Sequence, residues 1–494
     1  MNTPLRRVTI VLIALFSVMF VNLNWIQFVE HDYYKNNDYN NRITIDEYSR
    51  PRGSILAGSE TLARSVETDG DLKYAREYPG GPAFAHLTGY QSLVIGDGGI
   101  ESVENDLLSG EDPRLFVDRI NEMFTGNRVA GGNVILSVDP ALQKAAWETL
   151  SARADGKVAT AVMIDPRSGQ ILSQVSTPSY DPTPLASHDI AEVQGAWTEL
   201  NAEGSGNPML DRSTNEVFPP GSTMKIVTAA AALAAGMTPD TMVESGNEYT
   251  PPNTTQVIRN SNNQCPEKEL PLKEAFARSC NTTFAKLCVN DFGGLVDDGA
   301  TAFSEMAEAF GFGEELRTPL KVSSSRVGDV SDPAFLAQAC FGQHEARQTT
   351  LQNAMIAATI ANGGERMQPQ LIKELQAPDQ TTLERVGEES LGSPVSGDVA
   401  EGLREMMELV VTDGTGGNAA IDGFTVGGKT GTAEHGVDSA GNPLPEHGWF
   451  TGYAFNGDGD PVVAITVFLA DAGDGGSGDA TAIAGDLMRL ALET

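Results

Sequence analysis

An apolar run extends from Val8 to about Phe28, directly behind Arg6 and Arg7, with Glu30 and Asp32 just beyond it. About 20 such residues are enough for a helix to cross a bilayer. The flanking charges predict a cytoplasmic N-terminus, with everything after residue 30 outside. A cleaved signal peptide would have a shorter apolar core and a small-residue cleavage site. Here the run ends in Asn24-Trp25-Ile26-Gln27-Phe28-Val29, so residues 1–30 read as a cytoplasmic tip and an uncleaved single-pass anchor. Residues 31–50 are polar and rich in Asn and Tyr, which suits a juxtamembrane linker. Short apolar runs broken by Gly and Pro then continue to about residue 130, including a short helix closed by Gly110, and none carries a catalytic pattern. Residues 31–150 are therefore expected to hold a linker and a small non-catalytic pedestal.

Residues 133–139 read as a strand, after which Asp139 as N-cap and Pro140 at the first helical position open a helix to about residue 153. Strands over 160–165 and 170–175 flank Pro166-Arg167-Ser168-Gly169, a hairpin signal. Helical patterns dominate from the 220s to about residue 364. Strands return from residue 423, clearest at 462–469, and a helix over 480–492 closes the chain. Strands at both ends with helices between them predict an α+β domain over residues 151–494, its sheet assembled from distant parts of the chain. Inside it lies the most apolar helix of the sequence. Phe218-Pro219-Pro220-Gly221 halts the backbone, a helix starts near Ser222, and Gly236 supplies its C-cap. Residues 223–235 are apolar on every side except for Lys225 and two threonines, the pattern of a helix buried within a large domain.

Charge narrows the partners: a formal net charge of -34 argues against nucleic acid, which demands a basic surface. The cysteines, Cys265, Cys280, Cys288 and Cys340, show no C-x-x-C spacing, so no metal site is expected.

The buried lysine is the first piece of candidate chemistry. Burial disfavours an ammonium, so Lys225 should have a lowered pKa and act as a base near neutrality. Ser222 lies three residues earlier on the same helix face, and the unpaired N–H groups of the helix start suit a developing oxyanion. Together they describe an activated serine nucleophile. An N-cap serine with a snorkelling lysine would show the same spacing. Ser279-Cys280-Asn281 sits at a junction of two helices, where its hydroxyl could pass a proton and its carboxamide hold an amide, or where both could simply cap. Residues 426–434 read as a glycine-rich strand along which an extended substrate could pair. On it Lys429 offers charge to a carboxylate, Thr430 and Thr432 offer hydroxyls, and Gly431 offers room.

Ser222-x-x-Lys225, Ser279-x-Asn281 and Lys429-Thr430-Gly431, in this order, resemble the motif trio of penicillin-binding proteins and serine β-lactamases. Arg52-Gly53-Ser54-Ile55, Gly99-Ile100-Glu101, Val138-Asp139-Pro140, Ser176-Thr177-Pro178-Ser179-Tyr180-Asp181-Pro182, Ala361-Asn362-Gly363-Gly364 and Trp449-Phe450-Thr451-Gly452-Tyr453 extend the resemblance to class B penicillin-binding proteins. The short pedestal and the closing helix look most like the actinobacterial penicillin-binding protein A type. The resemblance implies an antiparallel sheet flanked by helices and a D,D-transpeptidase, without cofactor, that cross-links peptidoglycan stem peptides for cell division or cell shape. In it Lys225 would deprotonate Ser222 and Ser279 would relay the proton to the leaving amine. The N–H groups of Ser222 and Thr432 would form the oxyanion hole, while Lys429 and Thr430 would hold the substrate carboxylate. β-Lactam antibiotics would remain attached as acyl-enzymes. Glycan polymerisation would come from a partner, by analogy a SEDS-family polymerase at the cell membrane.

A serine β-lactamase would share the trio but needs a further carboxylate to activate a deacylating water. A non-catalytic β-lactam sensor would carry a cytoplasmic signalling segment, whereas only about seven residues precede the apolar run. Export places the cysteines where disulfides persist. Four cysteines allow three complete pairings, and spacing does not choose among them. Eight residues of continuous helix would hold Cys280 and Cys288 ~12 Å apart, beyond the reach of a disulfide. The expected bridge is Cys265–Cys280, pinning the Ser279 corner, with Cys288 and Cys340 expected as buried free thiols.

Overall fold

The structure, a computed structural model, describes residues 2–30, 47–70, 72–116, 130–316 and 318–493. Asn2–Asn24 is one helix that ends in a π turn, Trp25–Val29. Arg6–Val29 is, among the described residues, the one segment long and apolar enough to cross a bilayer, and none of it is buried against the rest of the chain. Most of the linker expected over residues 31–50 lies outside the described residues.

A first sheet has six strands in the order Thr382–Arg385, Ile372–Gln376, Asn133–Leu136, Ile55–Ala57, Glu60–Glu67, Tyr74–Glu77. Ile55–Ala57 runs parallel to Asn133–Leu136, and the remaining neighbours are antiparallel. Two of these strands come from beyond residue 370, so the sheet ties the expected pedestal segment to the later part of the chain. Against this sheet Glu101 is fully buried between two guanidinium groups, Arg52 at 2.7 Å and Arg76 at 2.6 Å. Burial pushes its carboxyl pKa up, but Arg76 and Arg52 outweigh that and hold it below the ordinary value. Gly53, beside Arg52, runs so close to Gly132 that a Cβ would sit 1.7 Å from the Gly132 carbonyl oxygen.

The second sheet is antiparallel and five-stranded, in the order Thr425–Ala433, His447–Phe455, Pro461–Leu469, Ala159–Ile164, Ile171–Thr177. Both faces are covered, which is why the Pro461–Leu469 strand reads as a continuous apolar run rather than an alternating one. Val463, Ile465 and Val467 share one buried cluster with Ile483 and Leu487 of the closing helix, Gly476–Glu493, and with Leu142, Ala146 and Leu150 of the helix Pro140–Ala154. On the opposite face lies Thr350–Ala361, buried throughout. Behind it the Ala-rich helix Lys225–Ala234 is buried from Lys225 to Leu233. Its glycine stop is as expected: Gly236 takes φ +105°, its N–H donates to Leu233 O, and the Met237 N–H donates to Ala232 O. Its start differs. Gly221–Met224 winds as a tighter 3-10 turn, with Thr223 Oγ1 donating to the Pro220 carbonyl, and the α-helix begins at Lys225.

Candidate active site

Gly221 is the hinge on which Ser222 is mounted. Its φ of +52° is left-handed, its N–H donates to Gly342 O at 3.0 Å, and a Cβ there would lie 2.4 Å from the carbonyl oxygen of Thr432. Only glycine combines that conformation with that close approach, so the 3-10 turn sits directly against the Thr425–Ala433 strand. Ser222 is half-buried at the surface of the resulting cleft. One turn on, Lys225 is fully buried. Its Nζ lies 2.8 Å from Ser222 Oγ, 3.0 Å from Ser279 Oγ, 2.8 Å from the Ser279 carbonyl oxygen and 2.6 Å from Asn281 Oδ1. Burial lowers its pKa well below the ordinary lysine value, and the neighbouring Lys429 lowers it further.

Ser279 and Asn281 reach Lys225 because the chain turns sharply between the helices Leu272–Ala277 and Asn281–Val289. Ser279 itself takes φ +62°, a left-handed conformation that costs a residue with a Cβ of order 1 kcal/mol or more. The turn is closed by the Ser279 N–H donating to Phe276 O and the Cys280 N–H donating to Ala275 O. Gln264 Nε2 also donates to the Ser279 carbonyl at 3.2 Å, and a Cys265–Cys280 disulfide ties the same corner to the wall of the cleft.

Lys429 is the second fully buried lysine, and its Nζ donates to Ser279 Oγ and to Thr430 O, each at 3.0 Å. Burial brings its pKa down to about 7. Phe284 lies under Lys225 and Phe276 under Lys429, each ring centroid 5.7 Å from the nitrogen, so aromatic faces partly replace lost water around both groups. Gly431 admits the Ser222 turn, since a Cβ there would lie 2.9 Å from Thr223 Cγ2 and 3.0 Å from Trp449 Cβ. The side chains meet at a cleft of about 300 Å³ bordered by Ser222, Ser279, Asn281, Thr415, Thr430 and Thr432, with the two lysines behind its wall.

Three features escape a reading of the sequence. Thr415 places its hydroxyl 2.6 Å from that of Thr430, although nothing in the Asp413-Gly414-Thr415-Gly416-Gly417 turn, outside the three motifs, marks it. Gln264 sits in a polar loop of no regular pattern. The third is a correction: Cys288 and Cys340, expected as free thiols, are bonded to each other, and no described cysteine is free. Their apolar settings are real, but burial does not prevent pairing. The contact comes from packing between Asn281–Val289 and the end of Pro333–Ala339, separated by too much chain for spacing to reveal it.

Among the described residues, one group of metal-type donors gathers: His435, His447 and Asp471, beside the outer end of the cleft. His435 and His447 stack face to face, 3.7 Å apart and 8° from parallel. His447 Nδ1 accepts the Asp471 N–H at 3.1 Å, while His435 Nε2 lies 2.7 Å from both Pro445 O and Asp471 Oδ1. Stacked imidazoles aim their lone pairs along parallel planes instead of at one point. The arrangement is a hydrogen-bonded junction that fastens the hairpin after Ala433 to the loop after Leu469, and burial followed by His435 brings the His447 pKa down to about 4.

Comparison with known proteins matches the profile described as penicillin binding protein transpeptidase domain to residues 159–489, and that described as penicillin binding protein A dimerisation domain to residues 52–134. The peptidoglycan D,D-transpeptidase PbpA of Mycolicibacterium smegmatis is 39% identical over 100% of this chain and 98% of its own length. The protein of the same name from Mycobacterium tuberculosis is 38% identical over 100% of this chain and 99% of its own. Among solved structures, the ceftriaxone acyl-enzyme complex of penicillin-binding protein A from M. tuberculosis superposes with a TM-score of 0.84 at 37% identity, covering 91% of this chain and 100% of that one.

Proposed function

This chain belongs to the penicillin-binding protein transpeptidase family, and from that premise we infer that it is a membrane-anchored peptidoglycan D,D-transpeptidase working through a serine acyl-enzyme. The observation that carries the reading is the contact of 2.8 Å between a fully buried lysine nitrogen and Ser222 Oγ. A neutral amine has two N–H donors and one lone pair. Donating to Asn281 Oδ1 and the Ser279 carbonyl uses both donors, and the lone pair is then left for the Ser222 hydroxyl. As Ser222 Oγ attacks the carbonyl of the penultimate D-Ala, its proton passes to Lys225. The charge that develops on the carbonyl oxygen is taken by the backbone N–H groups of Ser222 and Thr432.

Collapse of the tetrahedral intermediate breaks the peptide bond; Ser279, within 3.0 Å of both lysines, gives its proton to the departing D-Ala amine and takes in exchange the proton that Lys225 gained from Ser222, which leaves the base neutral again. An amine of a second stem peptide then repeats the sequence in reverse: it loses its proton to the base and takes the acyl group, and Ser222 recovers its hydrogen. Thr430 and Lys429 hold the terminal carboxylate of the donor. That anion raises the proton affinity of Lys429 on arrival, so binding and charging of the lysine support each other.

The remaining assignments belong to the same proposal. Residues 1–30 anchor the chain with the catalytic part extracytoplasmic, in keeping with Arg6 and Arg7 ahead of the apolar run. Residues 31–150 form linker and pedestal and residues 151–494 the catalytic domain, with a SEDS-family polymerase supplying the glycan strands. Labelling with a fluorescent penicillin and timing the loss of label tests the activity. The expected outcome is a label that persists for many turnovers of a β-lactamase. Rapid release would mean that the chain hydrolyses β-lactams instead of being trapped by them.

A further inference from the structure

The reading above gives the donor carboxylate to Thr430, yet the Thr430 hydroxyl already has a partner, Thr415 Oγ1 at 2.6 Å. We propose that Thr415 is a positioning residue that sets the direction of the Thr430 hydrogen bond and thereby makes the enzyme selective for anionic substrates; the inference rests on the transpeptidase reading. A hydroxyl has one proton to give. If Thr430 donates to Thr415, nothing remains for a carboxylate. If Thr415 donates to Thr430, the Thr430 proton points into the cleft, and the chain Thr415 to Thr430 to carboxylate strengthens link by link as charge builds at its end.

The backbone holds Thr415 for this task. It follows the helix Gly397–Asp413 between two glycines. At Gly414 a Cβ would lie 2.7 Å from Ala277 O, on the helix that leads into Ser279, and at Gly416 a Cβ would lie 3.0 Å from Val410 Cγ1. The Gly416 N–H donates to Val410 O at 2.8 Å and closes the turn. Thr415 thus stands, solvent-exposed, between the Ser279 corner and the Thr425–Ala433 strand, with its side chain on the cleft. An incoming anion then gains a charge-assisted hydrogen bond from the Thr430 hydroxyl, whereas an uncharged ester at the same place gains little from it.

The test compares second-order acylation rates for benzylpenicillin and its methyl ester in wild type, Thr415→Val and Thr415→Ser. Wild type should favour the free acid. Thr415→Val should lose about 10-fold toward the acid, the order expected for one hydrogen bond to a charged group, with the ester rate unchanged. Thr415→Ser should restore the preference. Equal losses toward acid and ester would reduce Thr415 to a packing residue and overturn the proposal, as would a Val variant that keeps the full preference for the acid. A wild type that fails to acylate with either compound would instead overturn the transpeptidase reading itself.

Discussion

The proposed mechanism asks Lys225 and Lys429, both fully buried, for opposite protonation states: Lys225 neutral to accept the Ser222 proton, and Lys429 charged to hold a carboxylate. The order of their shifts permits this, because Lys225 is depressed by burial and then by the charge of Lys429, whereas burial alone brings Lys429 to about 7. The sign for the rate follows. Raising the pH through the lowered value of Lys225 creates the base, so acylation rises; raising it through about 7 discharges Lys429 in the free enzyme, so acylation falls again. The rate constant for acylation by benzylpenicillin should therefore be bell-shaped in pH, and Lys429→Arg, which cannot lose its charge, should keep the rising limb and lose the falling one. A falling limb that persists in that variant would remove Lys429 from the role. At this scale the sequence is informative where local pattern forces an outcome: a helix apolar on all sides leaves Lys225 nowhere to go but inside. It is silent on the left-handed Ser279 and on Thr415, because both are set by what packs against them.

The elements show the same division. The nucleophile helix, the glycine-rich strand and the run ending at Leu469 could be read from periodicity because both of their sides are buried. Ile372–Gln376 and Thr382–Arg385 could not, since the latter is an exposed edge strand without apolar alternation, and the pair is recruited by Asn133–Leu136 from far along the chain. Cysteine pairing follows suit: the bridge across 15 residues is suggested by chain geometry, and the one across 52 is visible only once two helices are packed. On the chain-entropy account the longer bridge stabilises by about 4 kcal/mol and the shorter by about 3 kcal/mol. Non-reducing peptide mapping should recover Cys265 linked to Cys280 and Cys288 linked to Cys340. Replacing Cys288 and Cys340 together by serine should lower stability by about 4 kcal/mol, and recovery of either cysteine as an alkylated free thiol would contradict the pairing.

Across the whole molecule, an exposed apolar helix, a sheet braced by the buried Arg52–Glu101–Arg76 cluster and a five-stranded sheet with buried faces are linked so that the cleft lies on the part farthest along the chain. The first sheet joins four strands from before residue 140 to two, Ile372–Gln376 and Thr382–Arg385, from within the segment proposed as catalytic, so the proposed pedestal is built into that part and is not a bead on a string. Everything proposed for the molecule depends on one bond, the ester between Ser222 Oγ and an acyl donor. Intact-mass spectrometry of the full-length protein after exposure to benzylpenicillin measures that bond directly. Wild type should gain the mass of one penicillin, located to the Ser222 peptide. Ser222→Ala should gain none while melting near the wild-type temperature, because the Gly221–Met224 turn is capped through Thr223 and does not use the Ser222 side chain. A penicilloyl adduct on the Ser222→Ala protein, or on a peptide of the wild type that lacks Ser222, would contradict the account.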